Sequence, residues 1–145
     1  MFQHILLAVD GSEHGMLAAK AAGEIAKKFD SKLTFLTVFD PPQVYPVTPL
    51  DTMLDFPEKL ITIGEEAQEA VERNTGKVLE ESGIPYNSLR AIGHPADQII
   101  QTAKQENVDL IVMGSRGLGG WQSLFLGSIS DSVLHHAHCP VLIIR

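Results

Sequence analysis

Cysteine is nearly absent. Cys139 is the only one in 145 residues, which excludes an intramolecular disulfide framework and makes a reducing compartment the simplest setting. Long apolar runs are missing too: none reaches the roughly 20 residues needed to cross a bilayer. The start, MFQHILLAVDGSEHG, has no basic stretch and meets Asp10 directly after its short apolar run. The expected address is cytoplasmic, with no membrane partner. Basic residues are outnumbered, 11 Lys and Arg against 18 Asp and Glu, for a net charge of −7 and a sequence pI of about 5.2. That field favours solubility and repels nucleic acid, so any phosphate site has to be local. Neither internal repeats nor low-complexity segments occur. With 44% hydrophobic residues, residues 1–145 have the size and apolar content of one domain.

What is present alternates between two patterns. HILLAV (His4 to Val9) is short, apolar and stopped by DGS, as a strand buried on both faces would be. From His14 to Phe29, Ala18, Ala22, Ile25, Ala26 and Phe29 recur at helical spacing opposite a stripe of Lys20, Glu24, Lys27 and Lys28. KLTFLTVFD (Lys32 to Asp40) is a β-branched and aromatic strand halted by Pro41 and Pro42. Five prolines between residues 40 and 57 predict a long loop. An amphipathic helix is predicted from Glu58 to Ser82, despite Gly64 and Gly76, with Gly83 and Pro85 as its stop. YNSLRAI (Tyr86 to Ile92) mixes polar and apolar residues, as a strand at a sheet edge does. A helix from Pro95 to Glu106, the strand VDLIVM (Val108 to Met113), a helix from Ser128 to His138 and the terminal strand PVLIIR complete the chain.

Five strands alternating with helices predict an α/β domain with a parallel sheet and right-handed crossovers. Ligands of such sheets bind beyond the carboxyl ends of the strands where the winding reverses. If HILLAV and VDLIVM are neighbours there, their exits DGS and GSRG flank the crevice. GSRGLGGWQSLFLGS (Gly114 to Ser128) then supplies glycines that let backbone N–H groups approach an anion, and a helix N-terminus with a favourable dipole. It lacks the Lys-Ser or Lys-Thr of a Walker A loop and is not GxGxxG; Arg116 is its only cation.

Gly114-Ser115-Arg116-Gly117, nine residues, then Gly127-Ser128 resembles the G-x-x-G, nine residues, G-[S/T] pattern of the ATP-binding universal stress proteins. The resemblance extends to ILLAVDGS, GHPADQII and HCPVLIIR, and so covers essentially the whole chain. It implies a Rossmann-like, three-layer α/β/α fold of the adenine nucleotide alpha hydrolase type, with a five-stranded parallel sheet in the order 3-2-1-4-5. It also implies that Asp10 holds the ribose hydroxyls and that Ala8, Val9 and Val38 line the adenine. Gly114, Arg116, Gly117, Gly127, Ser128, Ile129 and Ser130 would surround the triphosphate, Ile129 through its backbone N–H. Members lacking the glycine pattern generally do not bind ATP. The last strand pairs with its counterpart in a second chain of the family, so a homodimer is implied.

Plainer roles compete for the same residues. Asp10 before Gly11 suits a turn or a helix N-cap, and Ser128 with Asp131 has capping-box spacing. A lone Arg116 is ordinarily exposed. His135, His138 and Cys139 invite a zinc reading, against which stand ordinary packing and the preference of a helix C-terminus for histidine; Cys139 reads as a small buried hydrophobe. Trp121, Leu124, Phe125 and Leu126 suit either a cover over the glycine loop or a partner surface. The expectation is a nucleotide-dependent sensor or accessory factor of the stress response, with Mg²⁺ accompanying ATP because its charge would add to −7. No residue is placed as a general base for an attacking water. The rivals are an ATP-using enzyme and a nucleotide-free interaction module.

Overall fold

A computed structural model describes residues 1–42, 56–117 and 126–145. The Pro46 and Pro49 region, Gly119, Gly120 and the group Trp121, Leu124 and Phe125 lie outside the described residues. In chain order the elements are β1 (His4–Val9), α1 (Glu13–Phe29), β2 (Lys32–Phe39), α2 (Phe56–Ser82), β3 (Tyr86–Ile92), α3 (Pro95–Gln105), β4 (Leu110–Gly114), α4 (Ser128–His136) and β5 (Val141–Ile144). The five strands form one sheet in the order β3-β2-β1-β4-β5, and every pairing is parallel.

All six residues of β1 are buried because the strand is central and both its faces are covered. Successive side chains point to opposite faces. Ile5, Leu7 and Val9 therefore enter one core with Ala18, Ala22, Ala26 and Phe35, capped by Leu79 of α2. Leu6 and Ala8 enter a second core with Leu36, Ala96, Ile99, Ala103 and Val133 of α3 and α4. Each fully buried leucine contributes about 1.5–3 kcal/mol relative to an exposed one. The small residues on α1 let it lie close to the sheet. β3, at one edge, mixes half-buried and exposed positions, as its mixed composition predicts. β5, at the other edge, is half-buried at all four.

Some boundaries differ from the sequence reading. α1 begins at Glu13 because Ser12 is its N-cap and accepts the Gly15 N–H at 3.1 Å. β4 starts at Leu110, not Val108: the Val108 amide still donates to Ala103 O after a left-handed Asn107, closing off α3. Asp109 instead accepts the Gln3 and His4 amides at 2.8 and 3.0 Å and ties the start of β1 to β4. α4 stops at His136 because Ala137 is extended. α2 begins at Phe56 and keeps both glycines. A Cβ on Gly64 would come within 2.6 Å of the Phe39 ring, and one on Gly76 within 2.7 Å of the Tyr86 hydroxyl.

Candidate functional site

The strand order places the ends of β1 and β4 side by side, with Ala8 in register with Met113. Their loops then diverge, β1 toward α1 on one face and β4 toward α4. The crevice between them has a volume of about 440 Å³, within the range of small-ligand sites. All eleven residues singled out from the sequence line it: Ala8, Val9, Asp10, Val38, Gly114, Arg116, Gly117, Gly127, Ser128, Ile129 and Ser130. So does Leu126, the one described member of the apolar group that follows the glycines.

One end is apolar. Ala8, Leu36, Val38, Ile99 and Met113 line it, together with Pro95, the first residue of α3. The other end is built from backbone. Gly127 is the N-cap of α4 and has no side chain with which to cap the helix, so the first-turn amides of Ser128, Ile129 and Ser130 face outward as donors, with the helix dipole behind them.

The geometry assigns the plainer roles more closely. Asp10 is not an N-cap; its Oδ1 accepts the Ser12 amide at 3.0 Å in an Asx turn, which leaves Oδ2 toward Gly117. The capping box is overturned: Ser128 is the first residue inside α4, the cap is Gly127, and the Asp131 amide donates to Gly127 O at 2.9 Å. The Asp131 carboxylate lies 3.6 Å from His135. Ser130, 2% exposed, donates its hydroxyl to Ser115 O and Gly127 O at 2.9 and 3.0 Å, so it offers the crevice its N–H and not its hydroxyl. Arg116 is half-buried, not exposed.

The glycines are more divided in role than their spacing suggests. A Cβ on Gly117 would sit 2.6 Å from Asp10 Oδ2, so this glycine admits the close approach of the two loops. One on Gly127 would lie 3.2 Å from Ser115 O. One on Gly114 would meet His14 C and Cβ at 2.8 Å and Gly15 N at 2.9 Å. Gly114 thus serves the packing of α1 on β4 as well as the crevice.

Ser12, Gly15, Leu36, Pro95, Ile99, Met113 and Ser115 also line the crevice and were not singled out. Of these, Ser12, Pro95 and Ser115 fall inside the segments ILLAVDGS, GHPADQII and GSRG. Among the described residues no group of three His, Cys, Asp or Glu side chains could hold a metal ion. His135 and His136 each bond a backbone carbonyl one turn back, and His138 bonds Val108 O. Cys139 is half-buried and packs against the second core. Burial, then the Asp109 charge, push its thiol above the ordinary value.

Comparison with known proteins gives a consistent result. The family described as "Universal stress protein family" matches residues 1–145. A universal stress protein of Thermus aquaticus is 39% identical, and the Bacillus subtilis universal stress protein YxiE 36%, each match covering 100% of both chains. The solved universal stress protein UspA of Lactobacillus plantarum is 30% identical with a TM-score of 0.81, covering 99% of this chain and 97% of that one. A universal stress protein solved in complex with cAMP is 26% identical with a TM-score of 0.73, covering 99% of this chain and 97% of that one.

Proposed function

From the premise that this chain belongs to the universal stress protein family, we propose that it binds ATP in the crevice between β1 and β4 and acts as a nucleotide-dependent factor of the stress response. The observation that carries the reading is the pairing, in one crevice, of an apolar end with a backbone-built anion end. The first suits a purine and the second suits phosphates. Ala8, Val9 and Val38 line the base, Asp10 accepts from ribose hydroxyls through Oδ2, and the amides of Ser128, Ile129 and Ser130 donate to phosphate oxygens, with Arg116 as the cation. The cAMP complex of a structural relative supports an adenine nucleotide. The full glycine pattern favours the triphosphate.

Mg²⁺ accompanies the phosphates, because ATP adds its negative charge to a chain already at −7. The site favours binding over turnover. Rapid phosphoryl transfer needs an oriented water and several groups to stabilise charge, and Arg116 is the single cation among the described residues lining the crevice. The setting is cytoplasmic, and the half-buried edge strand β5 pairs with its counterpart in a second chain. Calorimetry with ATP, AMP and cAMP, together with ADP release at single turnover with and without Mg²⁺, tests the reading. Tight ATP binding with slow or no ADP release is expected. Turnover near the enzyme median of about 10 per second would make this an ATP-using enzyme, and absent binding would leave an interaction module.

A further inference from the structure

His14 does not line the crevice, yet it is tied to the loop that does. Its Nδ1 and the Ser115 hydroxyl share a hydrogen bond of 2.7 Å, across 101 residues of sequence. Ser115 is the junction of the anion end. Its amide donates to Ile144 O of β5 at 2.8 Å, and its carbonyl accepts the Gly127 amide at 2.8 Å and the Ser130 hydroxyl at 2.9 Å. The two halves of the glycine pattern, 114–117 and 127–130, are thus clipped together at one peptide. The side chain of that residue is held from α1. A second link lies beside it, the Ser12 hydroxyl donating to Arg116 O at 3.3 Å.

Gly114 makes this attachment feasible. With no side chain there, the first turn of α1 rests directly on the end of β4, and the backbone of His14 comes close enough for its ring to reach Ser115. Ser115 is 2% exposed, so water does not readily replace a lost partner, and a buried hydroxyl left unpaired destabilises the arrangement around it.

We infer that His14 is a positioning residue for the anion end of the crevice: through Ser115 Oγ it fixes the peptide whose carbonyl holds the N-terminal turn of α4 in place. This deepens the ATP-binding reading and rests on it. The contact acts on the donors that face phosphates, while the apolar end, formed by β1, β2, α3 and Met113 of β4, is held by the sheet pairing and the second core. Loss of His14 should therefore weaken binding of the phosphates and spare that of the nucleoside.

The experiment titrates ATP and adenosine into the wild-type protein, His14→Ala, Ser115→Ala, the double variant and His14→Asn. Amide hydrogen exchange at Gly127 is followed in each without ligand. Each alanine variant should lose about three- to ten-fold in ATP affinity, the range for one net hydrogen bond, with adenosine affinity unchanged. The double variant should lose no more than either single one. His14→Asn, whose amide offers both a donor and an acceptor near the position of Nδ1, should recover most of the loss. Gly127 exchange should quicken in His14→Ala and return toward the wild-type rate in His14→Asn. Unchanged ATP affinity in a folded His14→Ala protein, an equal loss for adenosine, or additive losses in the double variant would each overturn the inference. A wild-type protein that binds no ATP would instead overturn the functional reading, and Gly127 exchange alone would then decide whether His14 positions the loop.

Discussion

Replacing Gly114 with alanine should cost stability out of proportion to one methyl group. The new Cβ would lie 2.8 Å from both His14 C and His14 Cβ and 2.9 Å from Gly15 N, all of them at or next to backbone and none the free end of a flexible side chain. Relief requires α1 to lift from β4, but α1 is anchored through Ala18, Ala22 and Ala26 in the first core. Overpacking of this kind costs about 1–3 kcal/mol, and the reduced freedom of the unfolded chain returns about 0.4–1 kcal/mol. The expected net loss is about 1–2 kcal/mol, read as a lower urea midpoint with an unchanged slope, or as a fall of about 2–8 °C in Tm. Gly83→Ala is the control: its φ is +69° but nothing lies within 4 Å of the added carbon, so backbone strain alone applies, about 1–2 kcal/mol. The two variants separate on ligand binding, since only the Gly114 variant disturbs His14 and the anion end. A Gly114→Ala protein as stable as the wild type would refute the claim that this glycine is required for helix–strand contact.

Other outcomes follow from the same geometry. Arg116→Ala should lower ATP affinity by about 1.5–3 kcal/mol, the range for a hydrogen bond to a charged group, and hardly change AMP affinity in the same titration; equal losses for both would place Arg116 away from the outer phosphates. Ile143→Lys, at the edge strand, should shift the protein toward monomer in sedimentation at micromolar concentration, because a charge would be desolvated at the pairing; a wild-type protein that is already monomeric would remove the dimer. Cys139 should reach half its maximal alkylation rate only above the pH at which free cysteine does, since burial and Asp109 hold its thiol protonated; a profile at or below that of free cysteine would contradict its packing.

The order of elements was legible because every strand but the mixed edge strand β3 is a dense apolar run punctuated by Gly, Pro or Asp, and these signals are local. The glycine pattern was legible for the same reason: its spacing is a property of fifteen consecutive residues, Gly114 to Ser128. What each glycine accommodates was not. Gly114 faces His14, and Gly117 faces Asp10, from the far side of the chain. That Ser130 commits its hydroxyl to Ser115 O is a tertiary fact with no local signal, and the capping-box spacing of Ser128 misleads because cap and first helical residue differ by one position. The His14–Ser115 bond left no mark on the sequence, since a histidine in a first turn and a serine after a strand are both unremarkable singly.

The adjacency of β1 and β4 also has a kinetic side. Ser12 and Arg116, which meet across the crevice rim, are 104 residues apart, and β1 pairs with β4 only after β2, β3 and the intervening helices have been traversed. Contacts of such separation carry a loop-closure cost and slow folding. A piece of the chain holding only β1 to β3 has half a crevice, and so does one holding only β4 and β5. Ligand therefore binds the native state and not its precursors, and saturating ATP should raise stability by mass action, by about 2.7 kcal/mol at a hundred times Kd. It should do so chiefly by slowing unfolding, with the refolding rate nearly unchanged; a refolding rate raised by ATP would show that the two halves meet before the barrier is crossed.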